Sequence, residues 1–506
     1  MPKFQFVNVE SPGDVKKHST TIRKHVMKDI GKARRKPKKR KETTIARNFS
    51  LTADESTASA PNGREPGLEE LTLSVPSPGR ELSEIVFPID MDEERMNLAR
   101  YLFVEARKSY KPFRFPWLTM GLSDEAAWHI TMANAVIFRM MKPGDTVKPE
   151  FSSSTDALKW YTLSLQSISR RLADPKLRRE EGLLIAIAGF LCHDHSTGDF
   201  ARQDIHLQGL KRLVDERGGI DSISNPMLRL MISWHDLAGA SYRNTLPYFD
   251  VPKSAIHQID TGTDNEVFQD LLDRWDSQCS HLGDVLDALK ATAAVASYIN
   301  RHSADPKFWT DDMTAARLLA PALYKVLALE GRALPEDPSD PQYSGTAARE
   351  AFRRSALIFL AAVKVRFGAF AWDLRRHVND FRQISRIPSV GWGVVPEINL
   401  WAHTIAALHE ESADRSFHVA AIVRITEFKG LASADEALHI VRSIIWVEEI
   451  FADRVGPLAA EIDALLLANA AQRILSAIDN DHGMQRGQVI EELDEDMGVP
   501  AEYQVF

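Results

Sequence analysis

An all-α body preceded by a basic, partly disordered arm and linker is the fold that this sequence predicts, and three observations carry it. Apolar residues recur at three- and four-residue spacing in segment after segment from about 85 to 455. Alternating strand-type runs are nearly absent, and the best of them, "FQFVNV" at 4–9, is short. Charge is also unevenly distributed. Residues 1–47 hold fifteen Lys and Arg against four Asp and Glu, a net of +11, while the other residues carry −19. A basic arm joined to an acidic body points to a polyanionic or receptor partner for the arm.

In chain order, the arm comes first. Within "SPGD", Ser11 is placed to cap a helix, Pro12 to occupy its first position and Asp14 to act as the capping-box acid. Val15, Ile22, Val26 and Ile30 then form one narrow apolar stripe, so the spacing predicts a helix to about Ala33, ended by Pro37. An isolated helix of that length is marginal in water and needs a partner or the body. The run "GKARRKPKKRK" at 31–41 holds eight positive charges and no negative one. Arg34, Arg35, Lys36, Lys38, Lys39, Arg40 and Lys41 have the composition of a nuclear-import signal and also suit phosphate backbones. A solvated charge run is the plainer reading.

Residues 48–84 are rich in Ser, Thr, Pro, Gly and Glu, the composition of a flexible linker. The body, 85–455, shows clear helical patterns at 157–172, 181–192, 226–242, 282–299, 315–329, 348–365 and 434–451, with breaks at "KPGD", "RGGIDSISNP" and "LPEDPSDPQYSG". A terminal helix and an acidic tail are expected over 456–506. Two cysteines, Cys192 and Cys279, exclude a disulfide framework and fit a reducing compartment. The longest uncharged apolar stretch, 182–192, is too short to span a membrane, and the N-terminus lacks the apolar core of a signal peptide. A soluble intracellular protein is expected.

Chemistry-bearing motifs are few. "CHDHSTGDF" offers His193, Asp194, His195 and Asp199, with His206 nearby, as metal-ligand types. Histidines at i and i+2 do not share a helix face, and no HExxH spacing occurs, so caps and turns are the simpler role. There is no GxGxxG after a strand, no GxxxxGK[ST] and no GxSxG. No catalytic residue, metal or cofactor is assigned. "HLQGLKRLVDERGGI" at 206–220 reads as a core helix stopped by Gly218 and Gly219. Trp234 and Asp236 follow in "ISWHDLAGA", a core ring and a structural acceptor.

The succession "HLQGLKRLVDERGGI", "NPMLRLMISWHDLAGASY", "LPYF" resembles the fungal-specific transcription factor domain, the middle homology region that follows binuclear zinc clusters in many regulators. The matching positions are His206, Gly209, Leu210, Val214, Arg217, Gly218, Gly219, Ile220, Leu228, Trp234, Asp236, Pro247 and Phe249. The leader "FQFVNVESPGDVKK…IRKHVMKDIGKARRK" is similar to that of a branch lacking the zinc cluster. A binuclear cluster needs six thiolates, and this chain has two cysteines, so specific DNA binding by that route is not expected.

The resemblance implies a nuclear transcription regulator with a helical regulatory body. Its expected partners are an import receptor, DNA held non-specifically through phosphates, and a second copy or other regulators as homodimer or heterodimer; no membrane is expected. Two alternatives stay open: a co-regulator that partners zinc-cluster factors without touching DNA, and, more remotely, a metal-dependent hydrolase using His193, Asp194, His195 and Asp199.

Overall fold

The structure is a computed structural model of the 506-residue chain. It describes Leu82 and residues 85–103, 113–140, 154–252, 266–278, 283–311, 313–329, 341–386, 395–410 and 412–496. Contacts divide the chain into two units, Met1–Leu71 and Thr72–Phe506, and every described residue lies in the second. The arm, its basic run and nearly all of the linker lie outside the described residues.

Sixteen α-helices and no strand are found among the described residues, so the body is all-α. The first five are α1 (Glu93–Phe103), α2 (Arg114–Leu122), α3 (Glu125–Met140), α4 (Thr155–Leu172) and α5 (Glu181–Thr197). Asp124 starts α3 by accepting the Ala126 and Ala127 N–H groups at 2.9 and 3.1 Å, and its other oxygen takes Arg171 of α4 at 2.7 Å. Ser154 caps α4 through the Ala157 N–H. Ala157, Trp160, Tyr161, Ser164 and Ile168 then bury one face at the predicted spacing. Helix α5 differs: from Leu183 to Leu191 and from His193 to Thr197 every residue is buried, so it is covered on all sides. It packs against α3 and α4 on one side and on α6 (Phe200–Asp215) and α7 (Pro226–Arg243) on the other.

The second half continues with α8 (Glu266–Gln278), α9 (Gly283–His302), α10 (Thr314–Ala328) and α11 (Pro341–Arg366). After these come α12 (Leu374–Ser385), α13 (Pro396–Ala407), α14 (Ser412–Phe428), α15 (Ala434–Ile444) and α16 (Glu448–Asp496). The break expected through "PQYSG" is helical instead. Pro341 occupies the first helical position, where its fixed φ starts a helix and its missing N–H costs nothing. Helix α16 runs through the boundary expected at 455, with Pro457 inside it.

Helix α11 lies at the centre of the second half, touching α9, α10, α12, α13 and α16, while α10 packs on α7 of the first half. Four cations on it are buried, each beside a carboxylate. Arg349 meets Asp284 at 2.7 Å, and Arg353 meets Glu350 at 3.1 Å. Arg354 takes Glu350 at 2.7 Å and Asp380 at 2.9 Å, and Lys364 takes Asp373 at 2.9 Å. One hydrophobic core runs from Leu82 to Ile462. Among the described residues no helix is long and apolar enough to cross a membrane.

Candidate functional site

The segment singled out in the sequence, 206–249, folds as α6, a turn, α7 and the chain after it. Gly218 and Gly219 take φ of 99° and 100°, a region that side chains avoid. Their N–H groups close the helix end on the Asp215 and Val214 carbonyls at 3.0 Å each. A Cβ at either glycine would meet nothing within 4 Å, so conformation rather than space demands glycine there. Gly209 is exposed on α6 with equally open surroundings, and nothing in the structure explains a glycine at that position. Arg217 is half-buried, and burial lowers its pKa against the pull of Glu181. Asn225 then caps α7, its side chain accepting the Met227 and Leu228 N–H groups, with Pro226 at the first position. Glu181 ties the start of α5 to that cap, accepting from Ser224 Oγ at 2.5 Å and the Asn225 N–H at 3.1 Å.

Asp236, on α7, is fully buried and accepts the Phe249 N–H at 2.8 Å, which pins "LPYF" to the helix. Burial raises its carboxyl to about 7 against those backbone hydrogen bonds. Trp234 is buried in the wall of a cavity.

The polar end of α5 separates its side chains. His193 Nδ1 meets Asn134 Oδ1 at 2.8 Å, and burial lowers its pKa to about 3. Asp194 accepts Arg202 Nε at 2.5 Å and His206 Nδ1 at 2.7 Å, one on each oxygen. Asp199 caps α6 through the Arg202 N–H. His195 turns to the cavity. These four side chains therefore do not converge, and among the described residues no three His, Cys, Asp or Glu side chains are grouped to hold a metal.

One cluster absent from the sequence reading imitates an activated nucleophile. Ser241 Oγ donates to Asp373 Oδ2 and lies 3.2 Å from His377 Nε2. In a Ser–His–Asp triad the acid holds the far ring nitrogen. Here Nδ1 instead faces the Arg354 guanidinium at 3.2 Å, and all three side chains are buried. Burial pushes the Asp373 carboxyl up, but Lys364 and the hydrogen bonds from His377 and Ser241 hold it well below the carboxylate range. The cluster anchors α7, α11 and α12.

The cavity has a volume of about 60 Å³ and lies between α1, α2, α3, α5, α7 and the α11–α12 connection. Phe103, Phe113, Trp117, Phe138, Trp234 and Phe370 supply aromatic walls, and His195, His235, Asn134, Ser196 and Arg114 the polar ones. The His195 and His235 rings are 5.9 Å apart. His235 was not singled out in the sequence; the available signal was an imidazole on the apolar face of α7.

A family model described as the fungal specific transcription factor domain matches residues 95–446. The chain belongs to that family. The match runs from within α1 to the Trp446 that follows α15, so the whole described body except Leu82 and residues 85–94 and 447–496 is family domain. No curated protein and no solved structure matches the chain. Membership makes the protein one of a family of transcription regulators. The basic run 34–41 is outside both the family match and the described residues.

Proposed function

We propose that this protein is a nuclear transcription regulator whose family domain is the regulatory part and whose basic run serves nuclear import and phosphate-dominated DNA contact. The observation that carries the reading is the family match over 95–446. The net of +11 in residues 1–47 supports the role of the arm. Two cysteines cannot supply six thiolates, so DNA contact made by this chain is read as non-specific. That same cysteine count favours a second reading, in which the body partners other regulators and the chain touches no DNA. We assign no catalytic step to any side chain.

Salt titration of DNA binding tests the first reading, comparing the full-length protein with a full-length variant carrying glutamine at Arg34, Arg35, Lys36, Lys38, Lys39, Arg40 and Lys41. About six neutralised phosphates give a log K against log salt slope near −5, without sequence preference. Loss of binding in the variant supports the arm. No binding by either protein at physiological salt leaves the co-regulator reading.

A further inference from the structure

We infer that the cleft beside the C-terminal end of α7 is a binding site for a small organic acid, one carboxylate on an apolar skeleton. The carboxylate is received by the Arg353 guanidinium together with the side chains of Asn244 and Thr245.

The cleft has a volume of about 520 Å³, within the range that holds small-molecule ligands. Asp204 of α6, Arg243 at the end of α7, Asn244 and Thr245 just beyond it, and Arg353 of α11 form its polar wall. Leu246 and Leu327 offer apolar contact to a skeleton.

Arg353 is 1% exposed, and its charge is poorly matched. The Glu350 oxygen that it meets at 3.1 Å is also held by Arg354 at 2.7 Å. Burial lowers the Arg353 pKa, Arg354 and Arg349 press in the same direction, and Glu350 opposes them. A buried guanidinium that shares its carboxylate favours a second anion on its open side.

That open side is Nη2. Asn244 Oδ1 takes Nη1 at 2.6 Å, Glu350 takes the same atom, and Nε is sealed from solvent. Nη2 makes no hydrogen bond and is not sealed, so it is the prong left for a partner. Arg353 and the Asn244 that holds it both line the cleft, which puts the guanidinium at its wall.

The neighbouring groups also lack acceptors. An arginine only donates, so the Asn244 atom facing it is the amide oxygen, and Nδ2 is left as an open donor. The Thr245 hydroxyl is exposed and makes no hydrogen bond within the chain. Asp204, in contrast, is used on both oxygens. One accepts Tyr248 Oη at 3.0 Å and Arg243 Nε at 3.1 Å, and the other accepts Gln208 Nε2 at 2.7 Å. Open donors beside a guanidinium call for a charged acceptor. The Asp204 charge on the same wall opposes a second negative charge, which selects a monocarboxylate over a phosphate dianion.

That such a ligand regulates transcription rests on the reading above; that it binds does not. The test is calorimetry of the purified full-length protein with phenylacetate and hexanoate, each compared with its neutral amide, and with phenyl phosphate. The acids should bind saturably, about tenfold tighter than the matching amides. Arg353→Met should bring each acid level with its amide. Leu246→Asp adds a carboxylate at an exposed position of the wall and should weaken the acids roughly fivefold while leaving the amides unchanged.

Equal affinity for each acid and its amide overturns the carboxylate assignment, and phenyl phosphate binding tighter than phenylacetate replaces it with a phosphate. Saturable binding by none of these probes overturns the site and leaves water as the partner of the open donors. Acid binding that survives Arg353→Met undiminished overturns it as well. Should that variant fail to fold, undiminished acid binding by Leu246→Asp decides in the same sense. The glutamine variant of the arm should bind the acids as the wild type does, so the DNA reading and this one fail separately.

Discussion

The Asp236 carboxylate accepts the Phe249 backbone N–H at 2.8 Å inside the core, thirteen residues further along the chain. This one bond fixes where the chain leaving α7 turns back onto it. Asp236→Ala orphans a buried N–H and should cost roughly 1–3 kcal/mol in urea unfolding. Asp236→Asn keeps an acceptor and should cost less. A loss in the alanine variant no larger than that of an exposed-site control would refute the anchoring role.

The same residue carries a pH signature. Its folded-state pKa of about 7 lies above the ordinary 3.8, so its contribution is fully present below 3.8 and is lost as pH rises through 7. Wild-type stability should therefore fall relative to Asp236→Asn between pH 5 and pH 8. A difference that stays flat across that range rejects the raised pKa.

Buried histidines act in the opposite direction. Burial lowers His193 to about 3 and His195, His409 and His418 to about 4, against an ordinary 6.5. Their contribution is present above 6.5 and is lost as pH falls towards 4. Each should cost on the order of 1 kcal/mol at pH 5.5. The cleanest reading is the urea midpoint of Asp236→Asn at pH 7.5 and pH 5.5, where the opposing carboxyl no longer titrates. An unchanged midpoint would mean that these rings are solvated.

Three glycines of one segment should respond differently. Gly218→Ala and Gly219→Ala meet no neighbour but take φ near +100°, so each should lose roughly 1–3 kcal/mol. Gly209→Ala, on an exposed helical face, should gain up to about 1 kcal/mol. Thermal melts of the three single variants decide it, and a stabilised Gly218→Ala would contradict the turn geometry.

Lys364→Met leaves the Asp373 carboxylate buried without its ammonium partner 2.9 Å away. Breaking a buried pair on one side costs roughly 3–5 kcal/mol, and the same substitution should unfold the body at a lower urea concentration. Indifference to the change would show that Ser241 and His377 suffice to hold that charge.

Much of the fold was legible because helical periodicity is a local property. The patterns at 157–172, 181–192 and 226–242 match α4, α5 and α7, and the glycine pair marked the stop of α6. Pro341 misled because proline reads equally as a break and as a first helical residue. The site was less legible. His193, Asp194 and His195 look like one cluster in sequence, yet a 100° turn per residue sends them to Asn134, to Arg202 with His206, and to the cavity. Contacts such as Ser241 with His377, 136 residues apart, have no local signature.

The cations of α11 also dictate an order of assembly. As the chain leaves the ribosome, Arg349, Arg353 and Arg354 emerge with Asp284 and Glu350 already made, but Lys364 must wait for Asp373. Until then a helix whose 355–363 stretch is buried carries the Lys364 ammonium group with no counter-charge, and its burial is deferred. A chain ending at Arg366, carried clear of the ribosome by a flexible C-terminal spacer, is thus expected to hold α11 undocked and open to protease, whereas one that continues past Ser385 before the same spacer closes around it.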